Sequence, residues 1–214
     1  MAKHKRKKTG IIPARTKTYP TFLAIELPLD LREQLVEVQQ QLRQTLNLPQ
    51  RNLKFELADK LHITLIYFGR LSRAEQQSVA SLVASEIQAL PIKQLRLADM
   101  GYFYNRHTDS IIMVEVAESD WLVKLHRGLV RRLRRELGMS LSDKKLRPHV
   151  TLARLKRVTK QQKQQILSQS LQVSGPPQGV FDCWDLSLLQ SSYNSRLDTS
   201  EYQLLRRMEF GQAS

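Results

Sequence analysis

One cysteine, Cys183, stands in 214 residues. It cannot form an internal disulfide, and the expected compartment is a reducing cytoplasm. No apolar run approaches the roughly 20 residues that a membrane-spanning helix needs. The basic N-terminus has no apolar segment directly behind it, which reads against a secretory signal. Acids are scarce at that end: residues 1–19 hold seven Lys or Arg and no Asp or Glu. Half of the formal charge of +14 remains on the rest of the chain, so the folded part is basic as well. Such a balance suits a polyanionic partner, most simply nucleic acid; the alternative is a solvated, solubilising surface.

Hydrophobic residues make up 41% of the chain, enough for a sizeable core and against wholesale disorder. Residues 1–19 read as a disordered basic tail. Beyond them, "TFLAIELP" reads as a strand closed by Pro28. A helix follows with Leu31, Leu35, Val38 and Leu42 at helical spacing. "LHITLIYFG" is a strand ending at Gly69. The next helix opens at Ser72 with Glu75 three residues on, a capping pattern, and Pro91 lies past its end. "IKQLRLADMGYFYN" is one strand, or two broken near Gly101. The order then repeats: strand "SIIMVEVA", helix "SDWLVKLHRGLVRRLRREL" ended by Gly138, strand "RPHVTLARL", helix "TKQQKQQILSQSL". Two closing strands, "GVFDCWDLSLLQSS" and "EYQLLRRMEF", complete the chain.

Glu26 and Glu115 sit 89 residues apart, and His62 and His149 sit 87 apart. Two landmarks in register mark an internal duplication, with halves of roughly 20–108 and 109–210. The spacing is too long for a solenoid. The expected architecture is α+β: one bilobal domain over 20–210 with a pseudo-twofold, two mainly antiparallel sheets facing a central cleft, and helices outside.

The duplicated strands carry the chemistry. On a strand, His62 and Thr64 project from one face, and strict alternation adds Ile66 and Phe68 to it; Leu61, Ile63, Leu65 and Tyr67 take the other. His149 and Thr151 repeat the arrangement. Facing each other, two imidazoles supply a base and an acid near neutrality, and two hydroxyls can donate to the oxygens of a group between them. In a basic protein, that group is most simply a phosphoryl group undergoing in-line displacement. A lone strand histidine is usually structural; the doubling in matched register is what points to a site. Neither histidine has Cys, Asp or Glu beside it at ligand spacing, so no metal is expected. His4, His107 and His126 are read as non-catalytic. The helix face from Arg127 through Arg135 is either a track for RNA or a solvated face.

With these motifs the sequence resembles the 2H phosphoesterase superfamily, and within it the bacterial and archaeal RNA 2′,3′-cyclic phosphodiesterases, also called 2′-5′ RNA ligases. "FLAIELP", "LHITLIYFG", "LRPHVTLAR" and "LLQSS…EYQLL" carry the resemblance over about residues 20–210. The resemblance implies hydrolysis of a terminal RNA 2′,3′-cyclic phosphate to a 2′-phosphomonoester, without metal or cofactor, with 2′-5′ ligation as a minor reverse reaction. It implies His62 as proton donor, His149 as proton acceptor, and Thr64, Thr151 and Arg154 as phosphate-binding residues. Arg154 falls on the back face under strict alternation, so its role requires a bulge there; otherwise it is a solvated base. Phe68, Tyr102 and Phe103, with Tyr104, are candidate base-stacking groups or packing residues. The family usually carries Lys where this chain has Ile66, an acid where it has Arg70, and often Glu before the serine where it has Gln190-Ser191. Its common Trp before the first motif has Phe55 as nearest counterpart. RNA with a cyclic phosphate end is the expected partner, and a monomer the expected state. Alternatives are a related phosphodiesterase acting on RNA 3′ ends or small cyclic nucleotides, and a non-catalytic RNA-binding protein.

Overall fold

The computed structural model describes residues 16–49, 51–103, 110–170, 172–173, 179–196 and 198–211. The expected tail lies mostly outside these, as do His4, His107 and Tyr104; its last two residues already belong to strand β1, Thr18–Glu26. Helix α1, Leu29–Leu46, buries Leu31, Leu35, Val38, Leu42 and Leu46 along one face, the stripe that a 3.6-residue period dictates. Strand β3 runs His62–Ser72, past the expected stop at Gly69, whose positive φ of 76° needs no side chain to accommodate. Helix α2, Arg73–Ile87, starts at a capping box in which Ser72 and Glu75 satisfy each other's backbone donors.

Strand β4, Lys93–Phe103, is one strand with a register slip between Leu97 and Met100. Strand β5, Ser110–Ala117, leads into helix α3, Asp120–Leu137, which ends at Gly138 in the left-handed region. Strand β6, His149–Leu155, and helix α4, Lys160–Ser170, follow. The first closing strand is two, β7, Val180–Cys183, and β8, Asp185–Asn194, parted at Trp184; β9 spans Thr199–Glu209. Between α1 and β3 lies a short strand, β2, Leu53–Phe55, and a 3-10 turn, Ala58–Lys60. Neither is visible in the periodicity of the sequence, since three residues carry no pattern.

The strands form one curled antiparallel sheet in the order β7-β4-β5-β6-β3-β1-β8-β9, with β2 added to β6. The two expected sheets are its two wings. They join at β6 and β3 through a single registered pair, Ile63 with Val150. The wings exchange strands relative to the halves of the sequence: β4 pairs with β5 and β7, while β8 pairs with β1. The helices pack outside, and the core runs through Leu23, Leu35, Ile63, Leu65, Val114 and Val150.

Candidate active site

Ile63 and Val150 stand 87 residues apart, the repeat spacing itself. The pseudo-twofold therefore passes through the one pair that joins the wings. Antiparallel direction then sets His62 across from Thr151 and Thr64 across from His149, on either side of that pair. The flanking ladders match as well: Glu26 pairs with His62 and Glu115 with His149, the register that the sequence repeat implied.

Each His-x-Thr strand departs from strict alternation at the same place. On β3, Leu65 and Ile66 are both buried, then Tyr67 is exposed and Phe68 buried. On β6, Leu152 and Ala153 are both buried and Arg154 is exposed. The ladders explain it. Leu23 pairs with Ile66 and Ala24 with Thr64, leaving Leu65 extra; Ile112 pairs with Ala153 and Met113 with Thr151, leaving Leu152 extra. A bulge of this kind puts two residues against one and turns all that follows to the other face. Leu65 and Leu152 are again 87 apart. The bulge required for Arg154 is present, and its twin acts on Tyr67.

His62, Thr64, His149, Thr151 and Arg154 all line one cavity of about 240 Å³. Phe68 does not: at 8% exposure it belongs to the core, and the bulge at Leu65 is the reason. It cannot stack on a base. Tyr67, 62% exposed, takes that face instead and lines the cavity. Tyr102 sits on β4, two strands from β6, half-buried against the core, and does not line the cavity. The side chain of Phe103 lies outside the described residues; its backbone pairs with Ile111. Phe55 is half-buried under the Arg43 guanidinium, 4.9 Å from its ring centre, also away from the cavity.

The two imidazoles are held alike. Nδ1 of His62 lies 2.7 Å from the Lys60 carbonyl, and Nδ1 of His149 lies 2.7 Å from the Arg147 carbonyl. A carbonyl only accepts, so each Nδ1 carries the proton and each Nε2 is left for chemistry. Nε2 of His62 lies 2.9 Å from the Thr64 hydroxyl. Phe22 packs on the His62 ring at 5.2 Å, and Tyr202 meets it edge-on at 5.6 Å. Burial pulls both histidines below the ordinary imidazole pKa, and the carbonyl each one holds opposes the shift. The charges around them differ. His62 feels Glu56 and Glu26 raising its pKa against Arg154 lowering it. His149 feels Arg147 and Arg154 lowering it against Glu115 raising it.

Arg154 donates from Nε to Glu56 at 2.7 Å. Glu56 follows β2, which pairs with β6 beside Arg154. Gln39, buried on α1, donates from Nε2 to the Glu56 carbonyl at 2.9 Å and to the Leu152 carbonyl at 2.8 Å. Leu152 is the bulged residue; its carbonyl accepts from the Glu56 amide at 3.0 Å as well as from Gln39, which ties the bulge to α1. Lys60, 8% exposed, lines the cavity with its ammonium 3.1 Å from the Thr199 hydroxyl. Where the family usually has Lys, Ile66 is buried; Lys60 brings an ammonium to the cavity from another direction. Glu56, Lys60, Tyr67, Phe22, Tyr202 and Ser191 are lining residues that the sequence did not single out. Phe22, Tyr67, Ser191 and Tyr202 carried a signal only through their place in the stretches that bear the family resemblance; Glu56 and Lys60 carried none. Among the described residues, no three His, Cys, Asp or Glu gather as a metal site would require, and no helix is long and apolar enough to cross a membrane.

Comparison with known proteins identifies the family and the fold. Residues 18–201 match the family described as AKAP7 2′5′ RNA ligase-like domain. A Thermus thermophilus protein named RNA 2′,3′-cyclic phosphodiesterase is 31% identical over 140 residues, 63% of this chain and 68% of that relative. An Escherichia coli protein of the same name is 29% identical over 133 residues, 62% of this chain and 70% of that one. Among solved structures, Thermus thermophilus TT0787 superposes with a TM-score of 0.73 at 23% identity, over 91% of this chain and 100% of that one. Escherichia coli LigT complexed with 3′-AMP gives 0.69 at 24% identity, over 92% of this chain and all of that one. These superpositions establish a shared fold.

Proposed function

This chain belongs to the AKAP7 2′5′ RNA ligase-like family of 2H phosphoesterases, and on that premise we propose that it is an RNA 2′,3′-cyclic phosphodiesterase working by two-histidine acid-base catalysis. The observation that carries this reading is the gathering of both His-Thr pairs and Arg154 on one cavity. The names of the Thermus and Escherichia relatives support the substrate class, a phosphoric diester at an RNA end.

The proposed chemistry balances on the residues present. Nε2 of neutral His149 takes a proton from water, whose oxygen attacks the cyclic phosphorus in line. The bond from phosphorus to the 3′ oxygen breaks, and Nε2–H of protonated His62 gives its proton to that oxygen. The products are a 3′-hydroxyl and a 2′-phosphomonoester. Exchange with solvent restores the two protonation states. Thr64 and Thr151 donate to the non-bridging oxygens, and Arg154 offsets their charge. The charges support the assignment of roles. Two carboxylates and one guanidinium act on His62, whereas one carboxylate and two guanidiniums act on His149. The neighbouring charges thus favour a proton on His62 over His149, while burial, the largest influence on both rings and the deeper at His62, works against it. An anionic phosphodiester in the cavity adds to the preference.

All of these groups come from one chain, which supports a monomer as the catalytic unit, testable by light scattering. Ligation through a 2′-5′ bond is the same displacement with an RNA 5′-hydroxyl attacking the cyclic phosphorus in place of water as the P–O3′ bond breaks, and is proposed as a minor activity. The test is hydrolysis of a short RNA ending in a 2′,3′-cyclic phosphate, with chelator present, by wild type, His62→Ala and His149→Ala. Opening to the 2′-phosphate, abolished by either change, is expected. Activity that chelator removes, or that survives both changes, overturns the scheme.

A further inference from the structure

A second concave surface lies between α3 and the segment that returns from it to β6. It opens as a cavity of about 530 Å³ lined by Arg127, Arg131, Arg134, Arg135, Lys144 and Lys145, with Asp143 as the one carboxylate among its lining residues. Arg134 is committed: it pairs with Asp143 at 2.6 Å and donates to the Leu141 carbonyl, fastening the return segment to the helix. Arg135 pairs with Glu136 at 2.7 Å. Among the described residues, no carboxylate lies within ion-pair reach of Arg127, Arg131, Lys144 or Lys145. All four are exposed. Arg127 and Arg131 are spaced i,i+4, where like charges repel and weaken a helix. Packing two lysines against them adds to the repulsion, which a bound polyanion would relieve.

The topology aims this groove at the active site. Glu115 on β5 pairs with His149, and α3 begins at Asp120, five residues on. The helix thus starts beside the catalytic strand and runs away from it for about 27 Å, at about 1.5 Å per residue. The return segment must retrace that distance to reach His149. Lys145 precedes His149 by four residues, at most about 14 Å of extended chain. The end of the groove at Lys145 therefore lies within about 14 Å of His149, and the groove extends along α3.

We propose that this groove binds the sugar-phosphate backbone of the RNA strand 5′ of the reacting end. This rests on the reading of the cavity as an RNA cyclic phosphodiesterase site. A base-stacked strand rises about 3.4 Å per phosphate, so at most about four nucleotides separate the reacting phosphate from Lys145, and about eight span the length of α3. Mononucleotide and dinucleotide substrates do not enter the groove; a 12-mer fills it.

The test compares a cyclic mononucleotide with a 12-mer bearing a 2′,3′-cyclic phosphate, on wild type and on the combined variant Arg127→Ala, Arg131→Ala, Lys144→Ala, Lys145→Ala. Each phosphate contact on a single strand contributes about 0.7 to the slope of log affinity against log salt. Four contacts give a slope of about 2.8, or about 50-fold between 50 and 200 mM salt. The expected result is that the variant loses this salt-dependent advantage on the 12-mer and keeps wild-type kcat/KM on the mononucleotide and wild-type Tm. Equal 12-mer kinetics in both proteins at every salt concentration overturns the groove. So does an unchanged 12-mer response with lost binding to phosphatidylserine vesicles, which assigns the face to lipid. Fluorescence anisotropy with a 12-mer ending in a 3′-hydroxyl reads the groove without the chemistry. A wild type that binds this RNA in the groove yet opens neither cyclic substrate refutes the phosphodiesterase reading and leaves the groove standing.

Discussion

Gln39 is the residue through which helix α1 governs the site, and Gln39→Met isolates what it does. The change keeps length and flexibility and removes both Nε2 donors. The carbonyls of Glu56 and Leu152 then lose partners at 2.9 and 2.8 Å. Leu152 keeps one, since the Glu56 amide donates to it at 3.0 Å. A buried hydrogen bond is worth about 1 kcal/mol net, and an orphaned carbonyl costs about 1–3 kcal/mol. Met recovers part of this by burying an apolar chain, so a loss of about 2 kcal/mol is expected. In a domain of this size that lowers Tm by about 4–8 °C. The functional effect comes through Arg154, which the bulge at Leu152 turns toward the cavity. A charge-assisted hydrogen bond to phosphate contributes about 1.5–3 kcal/mol. Loosening the bulge should therefore cut kcat/KM between about 10- and 150-fold at 20 °C, well below Tm. Steady-state kinetics on a cyclic mononucleotide, alone and combined with Arg154→Ala, is the assay. If Gln39 acts by positioning Arg154, its effect on kcat/KM nearly vanishes in the Arg154→Ala background. A lowered Tm with unchanged kcat/KM, or effects that simply multiply, refutes the reasoning.

His62 and His149 both sit below the ordinary imidazole pKa of 6.5, so under the proposed scheme kcat/KM should be bell-shaped with its maximum on the acid side of 6.5. It should fall about tenfold per pH unit above that value as His62 loses its proton; a plateau above pH 7 sinks the acid role. Thr64→Val and Thr151→Val each remove a hydroxyl proposed to meet a non-bridging oxygen and should each cost about 10²–10³ in kcat, with Tm nearly kept. Losses under threefold in both would move that duty elsewhere. Stability should also titrate. His62, His126 and His149 are all depressed by burial, so the unfolded chain binds protons that the fold resists. Stability is therefore full above pH 6.5 and falls as pH drops through the folded values. A Tm at pH 5.5 equal to or above that at pH 7.5 contradicts this.

Much of this was legible from residue spacing. Leu31, Leu35, Val38 and Leu42 gave α1 because a 3.6-residue stripe must face a core. Ser72 and Glu75 marked the start of α2 because a capping box is local chemistry. The register of Glu26 with Glu115 and of His62 with His149 anticipated the two ladder pairs that flank the site. What was hidden is non-local. The pairing of β4 with β5, and of β8 with β1, depends on which edges are free once the sheet curls, and no local pattern records it. The bulges were hidden because Leu65-Ile66 and Leu152-Ala153 read equally well as alternation passing through an apolar stretch. That ambiguity exchanged Phe68 for Tyr67, and it left Arg154 dependent on a kink that only the ladder reveals.

The duplication explains how the two His-Thr pairs are held, and its departures from symmetry give the two rings the different surroundings that the proposed roles require. The twofold through Ile63 and Val150 gives both rings the same tautomer, the same carbonyl anchor and the same bulge three residues on. A perfectly symmetric site would leave neither ring favoured as acid. Asymmetry enters first at the bulges themselves, where one copy presents Tyr67 and the other Arg154. It enters again with β2. This strand stands between α1 and β3, and among the described residues no strand occupies the corresponding place between α3 and β6. By pairing with β6, β2 delivers Glu56 to Arg154 and adds a negative charge felt by His62. Under the proposed scheme, a three-residue strand too short to read from the sequence thus brings a charge that favours His62 as donor. Gln39, which ties Glu56 and the Leu152 bulge to one helix, couples that charge to the Arg154 guanidinium, proposed to meet the phosphate.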